Sequence, residues 1–483
     1  GGKAAEGGVA PGADFDSGAF NRARLWEFVA ARALDFAGRF LSKLWILATI
    51  FWAWRTLDGD SSVGTQRRGE QYGPASLRRR RTSPRGEALR LGIAELGVFF
   101  VKCGQTLAQR PDLVGDELAE ELKGLQEKSA PLDDEEALRV IADDLGHRGP
   151  LAPGVFLDGC DASRPPLLKE LNPRHVASAS LGQVYRGRLH DGREVALKVQ
   201  RPGVRDTLGL DWAIGLVAAS AYQALQSSVN DYGAVLDAVA LGVRQELDYH
   251  NEAANIEEFA ARHAFLPFVS TPGWVPELTG PKGSARVLGL TWYPGRALAE
   301  LSREERRRVV EMAVDACLVQ LLVTGFVHAD PHEGNLRLGD DGRLVFLDFG
   351  LMDRVDYGIM ENCAAGIRHV LDQDWLRLAE VFQEVRFIPR PAMRNANYGV
   401  SKLPKYEPCD TEEFAEALGR QLGDEAGGLS RFGAMATALK KLSSRYLLLT
   451  PPYVALICRT FITLEGLLGA DPEHAEAFNV YMA

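Results

Sequence analysis

Residues 176–199 read VASASLGQVYRGRLHDGREVALKV. Two runs rich in Val, Tyr and Leu flank Asp191-Gly192, a pair suited to a tight turn, so the stretch predicts a β-hairpin. The small residues Ala177, Ser178, Ala179, Ser180 and Gly182 lead into the first run, with Val184 two positions beyond the glycine. The second run, Val195-Ala196-Leu197-Lys198, alternates apolar side chains and closes on a cation. Short side chains ahead of a hairpin let a backbone approach a ligand closely, and a lysine on the facing strand adds positive charge beside it.

The surrounding chain has 483 residues, 46% of them hydrophobic, enough for at least one large core and for two or three structural units. A formal net charge of -10 excludes a general nucleic-acid binder, whose footprint is a basic surface. Cys103, Cys160, Cys317, Cys363, Cys409 and Cys458 are scattered, without a C-x-x-C pair or a His/Cys cluster at zinc spacing, and read as reduced thiols. Residues 1–19, rich in Gly and Ala, predict a disordered leader of the kind left when an organelle-targeting peptide is removed.

Residues 20–55 predict an apolar to amphipathic helix. Its uncharged part, Leu44 to Trp54, falls short of the roughly 20 apolar residues that span a bilayer. Trp45, Trp52 and Trp54 beside Arg39, Lys43 and Arg55 suit a helix in a membrane interface, a helix docked in a partner's groove, or one packed on the chain's own core. A basic linker over 56–86 carries the run Arg78 to Arg81, which fits anionic headgroups or a solvated surface. From Glu87 to Lys128 the pattern is helical, with Pro111 ending the first helix after Arg110 and Asp116 opening the second. Strand and turn patterns follow Asn172-Pro173, and beyond about Ser302 the chain reads as mostly helical.

Against the protein-kinase loop G-x-G-x-x-G-x-V the opening stretch reads Ala177-x-Ala179-x-x-Gly182-x-Val184, with the spacing kept and two glycines replaced. Val195-Ala196-Leu197-Lys198 matches V-A-I-K, whose lysine pairs the α- and β-phosphates. Such a lysine needs an orienting carboxylate, and the helical stretch RQELDYHNEAANIEEF (244–259) offers Glu246, Asp248 and Glu252, the last two on one helical face. GFVHADPHEGNL (325–336) supplies Asp330 and Asn335 at the D-x-x-x-x-N spacing of a catalytic loop, and RLVFLDFGL (343–351) brings Asp348-Phe349-Gly350 after an apolar strand. A short hairpin between Asn335 and Asp348 returns both to one place, where oxygen ligands favour Mg²⁺. His328 and His332 lack a third ligand at zinc spacing. In this order the pieces describe a kinase-type site for ATP or ADP with Mg²⁺.

The residues FFVKCGQTLAQRPDL (99–113), QELD (245–248) and HADPHEGN (328–335) resemble the K-x-G-Q, E-x-D and modified catalytic-loop signatures of the ABC1/UbiB, ADCK-like atypical kinases. The resemblance runs from about Glu87 through TPPYVALICRTFITLEGLLGADP (450–472), and RPDL after K-x-G-Q is most similar to plastid and cyanobacterial members. It implies an α+β, protein-kinase-like two-lobed fold: a helical K-x-G-Q extension (87–172) covering the active site, an N-lobe (173–295) and a C-lobe (296–483). It further implies that Lys198 pairs with Glu252, that Asp330 is the catalytic-loop Asp, that Asn335 and Asp348 hold Mg²⁺, and that Lys102 and Gln105 face the pocket with Glu246 and Asp248. Family members support prenyl-lipid quinone metabolism, which implies a membrane surface or prenyl lipids as partners, a possible protein partner for 20–55, and residence in the chloroplast at thylakoid or plastoglobule, or in the mitochondrial inner membrane. The family's A-A-A-S loop reads Ala177-Ser178-Ala179-Ser180 here, and its Met-Glu hinge reads Leu290-Thr291.

Glycine reaches φ > 0 freely, whereas alanine resists it by about 1 kcal/mol or more. The alanines therefore predict a weaker grip on a γ-phosphate than in ordinary protein kinases. Together with the absence of A-P-E after Asp348, they disfavour a conventional Ser/Thr kinase and leave an atypical kinase or ATPase, or a nucleotide-binding scaffold.

Overall fold

Strand β4 (Glu194–Gln200) alternates as its sequence dictates: Val195, Leu197 and Val199 are buried on one face, whereas Ala196 and Lys198 turn to the other. It pairs antiparallel with β3 (Gly182–Arg188) around the expected turn, where the Asp191 carboxylate accepts from the Arg193 N–H. Strands β1 (Glu170–Leu171) and β2 (Ala177–Ser178) both pair with β3, and β6 (Val287–Thr291) closes the antiparallel sheet beside β4. Helix α6 (Asp134–Asp144) packs Ala137, Leu138 and Ile141 onto the apolar face with Tyr185 and Val287. At the end of α6 the Asp144 carboxylate accepts from the Arg286 and Val287 N–H groups, both at 2.8 Å.

The computed structural model describes residues 22–56, 84–108, 116–122, 132–226, 232–329, 333–398, 405–425 and 431–449, with single positions at 114, 125 and 331. These form two compact units of mixed helix and sheet. The first contains residues 22–56, 84–254 and 273–292, and the second 255–272 and 293–449. An unbroken lobe over 173–295 is therefore not observed. Residues 255–272 belong to the second unit because β5 (Val269–Ser270) pairs in parallel there with β10 (Leu344–Phe346). The leader (1–19), the Arg78–Arg81 run and residues 450–472 lie outside the described residues.

In the first unit, the helix expected over 20–55 is two helices, α1 (Arg22–Ala31) and α2 (Ala33–Thr56). Leu25 and Val29 of α1 enter a core with Trp212, Leu216, Val239 and Val243 from α7 (Val204–Gln226) and α8 (Tyr232–Glu246). The helix expected from Glu87 to Arg110 also divides, into α3 (Pro84–Leu96) and α4 (Val98–Ala108), at Gly97 with φ +107°. The reason is a buried clamp. Lys43 of α2 donates to the Leu96 carbonyl freed by this break and lies 3.3 Å from Asp211, which Arg39 binds at 2.9 Å. Burial pushes the Lys43 ammonium below its ordinary value, against the pull of Asp211. Helix α5 (Asp116–Leu122) begins where expected and shares a small core with α3 and Ile50 of α2. The opposite face of α2 is bare: Leu34, Leu41, Trp45 and Trp52 recur at helical spacing and are 90%, 65%, 73% and 69% exposed. No described helix is long and apolar enough to cross a membrane.

The second unit begins with α9 (Tyr249–Arg262), whose residues from Asn255 onward belong to it. Strands β7 (Gly295–Ala297) and β9 (Leu336–Gly339) join β10 and β5 in the order β5-β10-β9-β7, and β8 (Phe326–His328) pairs with β11 (Met352–Arg354). Helix α10 (Arg303–Val319) starts in a capping box of Ser302 and Glu305. The described residues beyond Ser302 are mostly helical, as expected, but after α11 (Tyr357–Leu371) and α12 (Trp375–Glu384) the strands β12 (Ala392–Asn395) and β13 (Tyr406–Cys409) form an unexpected hairpin ahead of α13 (Thr411–Glu425) and α14 (Arg431–Leu442). Short strands of this kind carry too little period-2 signal to stand out from their helical surroundings.

All described cysteines are free, as expected of reduced thiols, and Cys458 lies outside the described residues. Burial pushes the Cys317 thiol up to about 12 and that of Cys363 up to about 11.

A Cβ on Gly182 would fall inside van der Waals contact of the Val199 carbonyl oxygen on β4. Gly182→Ala therefore pushes β3 from β4 and lowers stability by about 2 kcal/mol, seen as a thermal midpoint lower by several degrees in calorimetry.

Candidate active site

The sheet face that carries Lys198 meets the first turn of α9. Lys198 Nζ lies 2.8 and 2.9 Å from the two Glu252 carboxylate oxygens and 5.6 Å from the centre of the Tyr249 ring. The Glu252 side chain is fully buried, whereas Lys198 keeps 21% of its side-chain surface exposed. The buried carboxylate thus orients the amine.

Glu252 reaches this place because the helix expected over 244–259 does not run through. It ends with α8 at Glu246 and restarts as α9 at Tyr249. Asp248 stands between them and accepts from the His250 and Asn251 N–H groups at 3.1 Å, so it caps α9 and does not share a helical face with Glu252. The Leu247 carbonyl at the break accepts from Gln200 and Arg205 at 2.7 and 2.8 Å. Glu252 consequently sits in a first turn, where a carboxylate favours the helix dipole.

The loop ahead of Lys198 is short and closed. The Ala179 N–H donates to the Gly182 carbonyl at 2.8 Å, Ala177 pairs with Val184, and neither alanine adopts positive φ. Arg201 reaches back to the Ala179 carbonyl at 3.2 Å and to the Ser178 hydroxyl at 3.5 Å. Just upstream, Asp134 accepts from His175 and from the Tyr185 hydroxyl, at 2.9 and 2.6 Å. Burial alone would raise the Asp134 carboxyl. The hydrogen bonds from Tyr185 and His175 outweigh it and hold the group below its usual range.

Of the K-x-G-Q residues, Lys102 on α4 forms a bidentate pair with Glu246, at 2.8 and 2.6 Å. Gly104 lets Leu125 pack against the helix where a Cβ would collide, and the Gln105 amide donates to the Leu125 carbonyl at 3.0 Å. The structure therefore joins Lys102 to Glu246 but directs Gln105 and Asp248 to other partners. The sequence resemblance placed all four side chains together, and local capping and packing needs decide otherwise for two of them.

In the second unit Asn335 precedes β9 and Asp348 follows β10, and the Leu347 N–H donates to the Asn335 carbonyl at 3.0 Å, so the two residues stand at the joined ends of one hairpin, as their spacing predicts. The Asp348 carboxylate accepts from the Gly350 N–H at 3.1 Å. Asn335 and Asp348 are both half-buried. An Asn amide oxygen and an Asp carboxylate are hard-oxygen donors of the kind that would suit Mg²⁺. Among the described residues no group of three or more His, Cys, Asp and Glu suits a metal ion. Asp330 and His332 lie outside the described residues.

Two residues that support this loop escaped the sequence reading. His328, weighed there only as a zinc ligand, is 1% exposed and donates from Nε2 to the Asp348 carbonyl at 2.5 Å. Its place two residues before Asp330 follows the H-x-D spacing of kinase catalytic loops, a signal that was available. Asn255, 4% exposed on α9, donates from Nδ2 to the Phe349 carbonyl at 2.9 Å, and no motif marked it.

A lysine–glutamate pair on a strand and helix, and an Asn/Asp hairpin ending in D-F-G, define a kinase-like protein. Residues 159–382 match the family model described as the ABC1 atypical kinase-like domain, so this part of the chain is an ABC1-type kinase-like domain. It is 33% identical over 399 residues to an uncharacterized, chloroplastic aarF domain-containing protein kinase of Arabidopsis thaliana, covering 82% of this chain and 52% of that protein. It is 30% identical over 458 residues to an uncharacterized protein of Synechocystis, covering 93% of this chain and 60% of the relative. To the Arabidopsis protein ACTIVITY OF BC1 COMPLEX KINASE 3, also chloroplastic, it is 32% identical over 392 residues, covering 80% and 50%. The chain thus spans 50% to 60% of the length of these relatives. A solved erythromycin complex of a Mycobacterium tuberculosis protein is similar at a TM-score of 0.49 and 22% identity, over 76% of this chain and 87% of that one.

Lys198→Met leaves the buried Glu252 carboxylate without its strand cation and lowers stability by about 3 kcal/mol. Adding Glu252→Gln restores most of the loss. A double-mutant cycle in urea measures the coupling, and additive losses would show that the pair is not a unit.

Proposed function

We propose that the protein is an ABC1-type atypical kinase or ATPase that binds ATP or ADP with Mg²⁺ and supports prenyl-lipid quinone metabolism at a chloroplast membrane. The observation that carries this reading is the Lys198–Glu252 pair, in which both oxygens of a buried carboxylate accept from the amine of a strand lysine. In kinase-type sites such an amine holds α- and β-phosphate oxygens. Asn335 and Asp348 would hold Mg²⁺, which bridges phosphate oxygens and neutralises the charge that develops during transfer. The spacing assigns Asp330 to the catalytic-loop position.

The loop supports hydrolysis or small-molecule phosphorylation over transfer to a protein side chain. Ala177 and Ala179 hold φ < 0 and the Ala179 N–H is bonded to the Gly182 carbonyl, so that N–H is not turned to wrap a γ-phosphate. Lys102 and Glu246 act in this reading as a regulatory pair of the K-x-G-Q extension.

For the membrane, the support is the bare face of α2, whose Trp45 and Trp52 suit an interface and whose other face is buried in the chain itself. Chloroplast residence follows the designations of the plant relatives. A second reading, a nucleotide-binding scaffold subunit, draws on the same α2 face, which also fits the hydrophobic groove of a protein partner.

Purified protein is expected to hydrolyse ATP slowly with Mg²⁺, Asp348→Asn to reduce turnover at least about 100-fold, and anionic liposomes to raise the wild-type rate. Equal turnover by wild type and Asp348→Asn, in a coupled phosphate-release assay, would sink the catalytic reading in favour of the scaffold. Replacing Trp45 and Trp52 with Ser removes the liposome effect in co-sedimentation and leaves turnover in solution unchanged.

A further inference from the structure

Asp348 can serve a dication only if its carboxylate is aimed consistently, and that carboxylate accepts at 3.1 Å from the Gly350 N–H, which lies in the same planar peptide as the Phe349 carbonyl. The carbonyl of Asp348 is held by His328, and the next carbonyl, that of Phe349, by Asn255. The latter bond spans 94 residues of sequence. A carbonyl only accepts, so the group of Asn255 that faces it is the amide NH₂. Both members are buried, Asn255 at 4% and Phe349 at 0% exposure, and water is not on hand to replace the donor. The Phe349 ring packs at 5.0 Å from Phe259 and 5.7 Å from His328, which fixes the side chain but not the rotation of the following peptide. Asn255 supplies that missing restraint.

The helix that bears Asn255 is itself tied to β11 and to the helical segment that ends at Thr324. Glu258 pairs with Arg354 on β11, Arg262 donates to the Thr324 carbonyl at 3.2 Å, and His263 meets the Thr324 hydroxyl at 3.0 Å. Asn255 thus reaches Phe349 from a fixed base. An apolar residue of equal size, such as Leu, would fill the site without donating, and would leave the Phe349 carbonyl buried with one partner fewer.

We infer that Asn255 is a positioning residue for the dication, holding the Phe349 peptide so that the Asp348 carboxylate keeps its metal-binding orientation. The inference rests on the reading of Asn335 and Asp348 as Mg²⁺ ligands. Partners of this kind, one shell removed from a metal, typically change its affinity 10- to 100-fold.

The test is Mn²⁺ binding in the presence of ADP, followed by electron paramagnetic resonance on the full chain, with nucleotide binding in EDTA measured in parallel. For Asn255→Leu the expected result is an Mn²⁺ affinity lower by about 10-fold, metal-free ADP affinity within 2-fold of wild type, and faster amide hydrogen exchange across 348–352. Asn255→Ser, which keeps a smaller donor and is easily buried, carries the same readouts if the leucine variant does not fold, with a loss between those of wild type and leucine. Unchanged Mn²⁺ affinity, or equal loss of Mn²⁺ and metal-free ADP binding, overturns the inference. Asp348→Asn separates the two levels. If wild type binds no Mn²⁺ with ADP, or Asp348→Asn binds it equally well, the Mg²⁺ reading itself fails. If Asp348→Asn loses the metal while Asn255→Leu does not, only the role of Asn255 falls.

Discussion

The first unit depends on placing one amine on the polar face of a strand and one carboxylate opposite it without leaving either charge stranded. Alternation in β4 does the first part: burying Val195, Leu197 and Val199 under α6 forces Lys198 to the other face. A cation there needs a partner, and a fully buried glutamate needs a cation even more, since an uncompensated charge in a protein interior costs several kcal/mol. The pair is tolerable because each member satisfies the other. This makes the start of α9 a position of consequence, because a helix beginning one residue later would carry Glu252 about 100° around its axis.

That starting point is set by small local means. Asp248 caps α9, while Gln200 and Arg205 take the carbonyl that the interruption of the chain leaves at Leu247. The same device recurs at Gly97, where a break exposes the Leu96 carbonyl and the buried ammonium of Lys43 accepts the task of bonding it. In both places a helix interruption is stabilised by a side chain from a distant element, and in both the interruption lets the next helix present a charged residue, Glu252 or Lys102, at a defined spot.

What could be read from the sequence follows from how local the determining forces are. The β3–β4 hairpin, Lys198, the Asn335–Asp348 hairpin and the K-x-G-Q and E-x-D signatures lie in contiguous stretches whose period or motif is complete within about 20 residues. The divisions at Gly97 and Leu247 were missed because the groups that satisfy their freed carbonyls, Lys43 at Leu96 and Gln200 and Arg205 at Leu247, come from distant elements. The assignment of 255–272 to the second unit was equally invisible. It depends on the two-residue strand β5 and on Asn255, Glu258, Arg262 and His263 finding partners dozens of residues away. Polar residues scattered on a helix give no periodic signal of what they will bond.

The cysteines carry a practical consequence. Burial pushes the Cys317 thiol up to about 12 and holds Cys103 and Cys363 in the same direction, so at neutral pH these sulfurs stay protonated. Peroxide attacks the thiolate form, so these three sulfurs act as packing atoms. Among the described thiols, partly exposed Cys160 is the natural handle for attaching a fluorophore or spin label without disturbing either core.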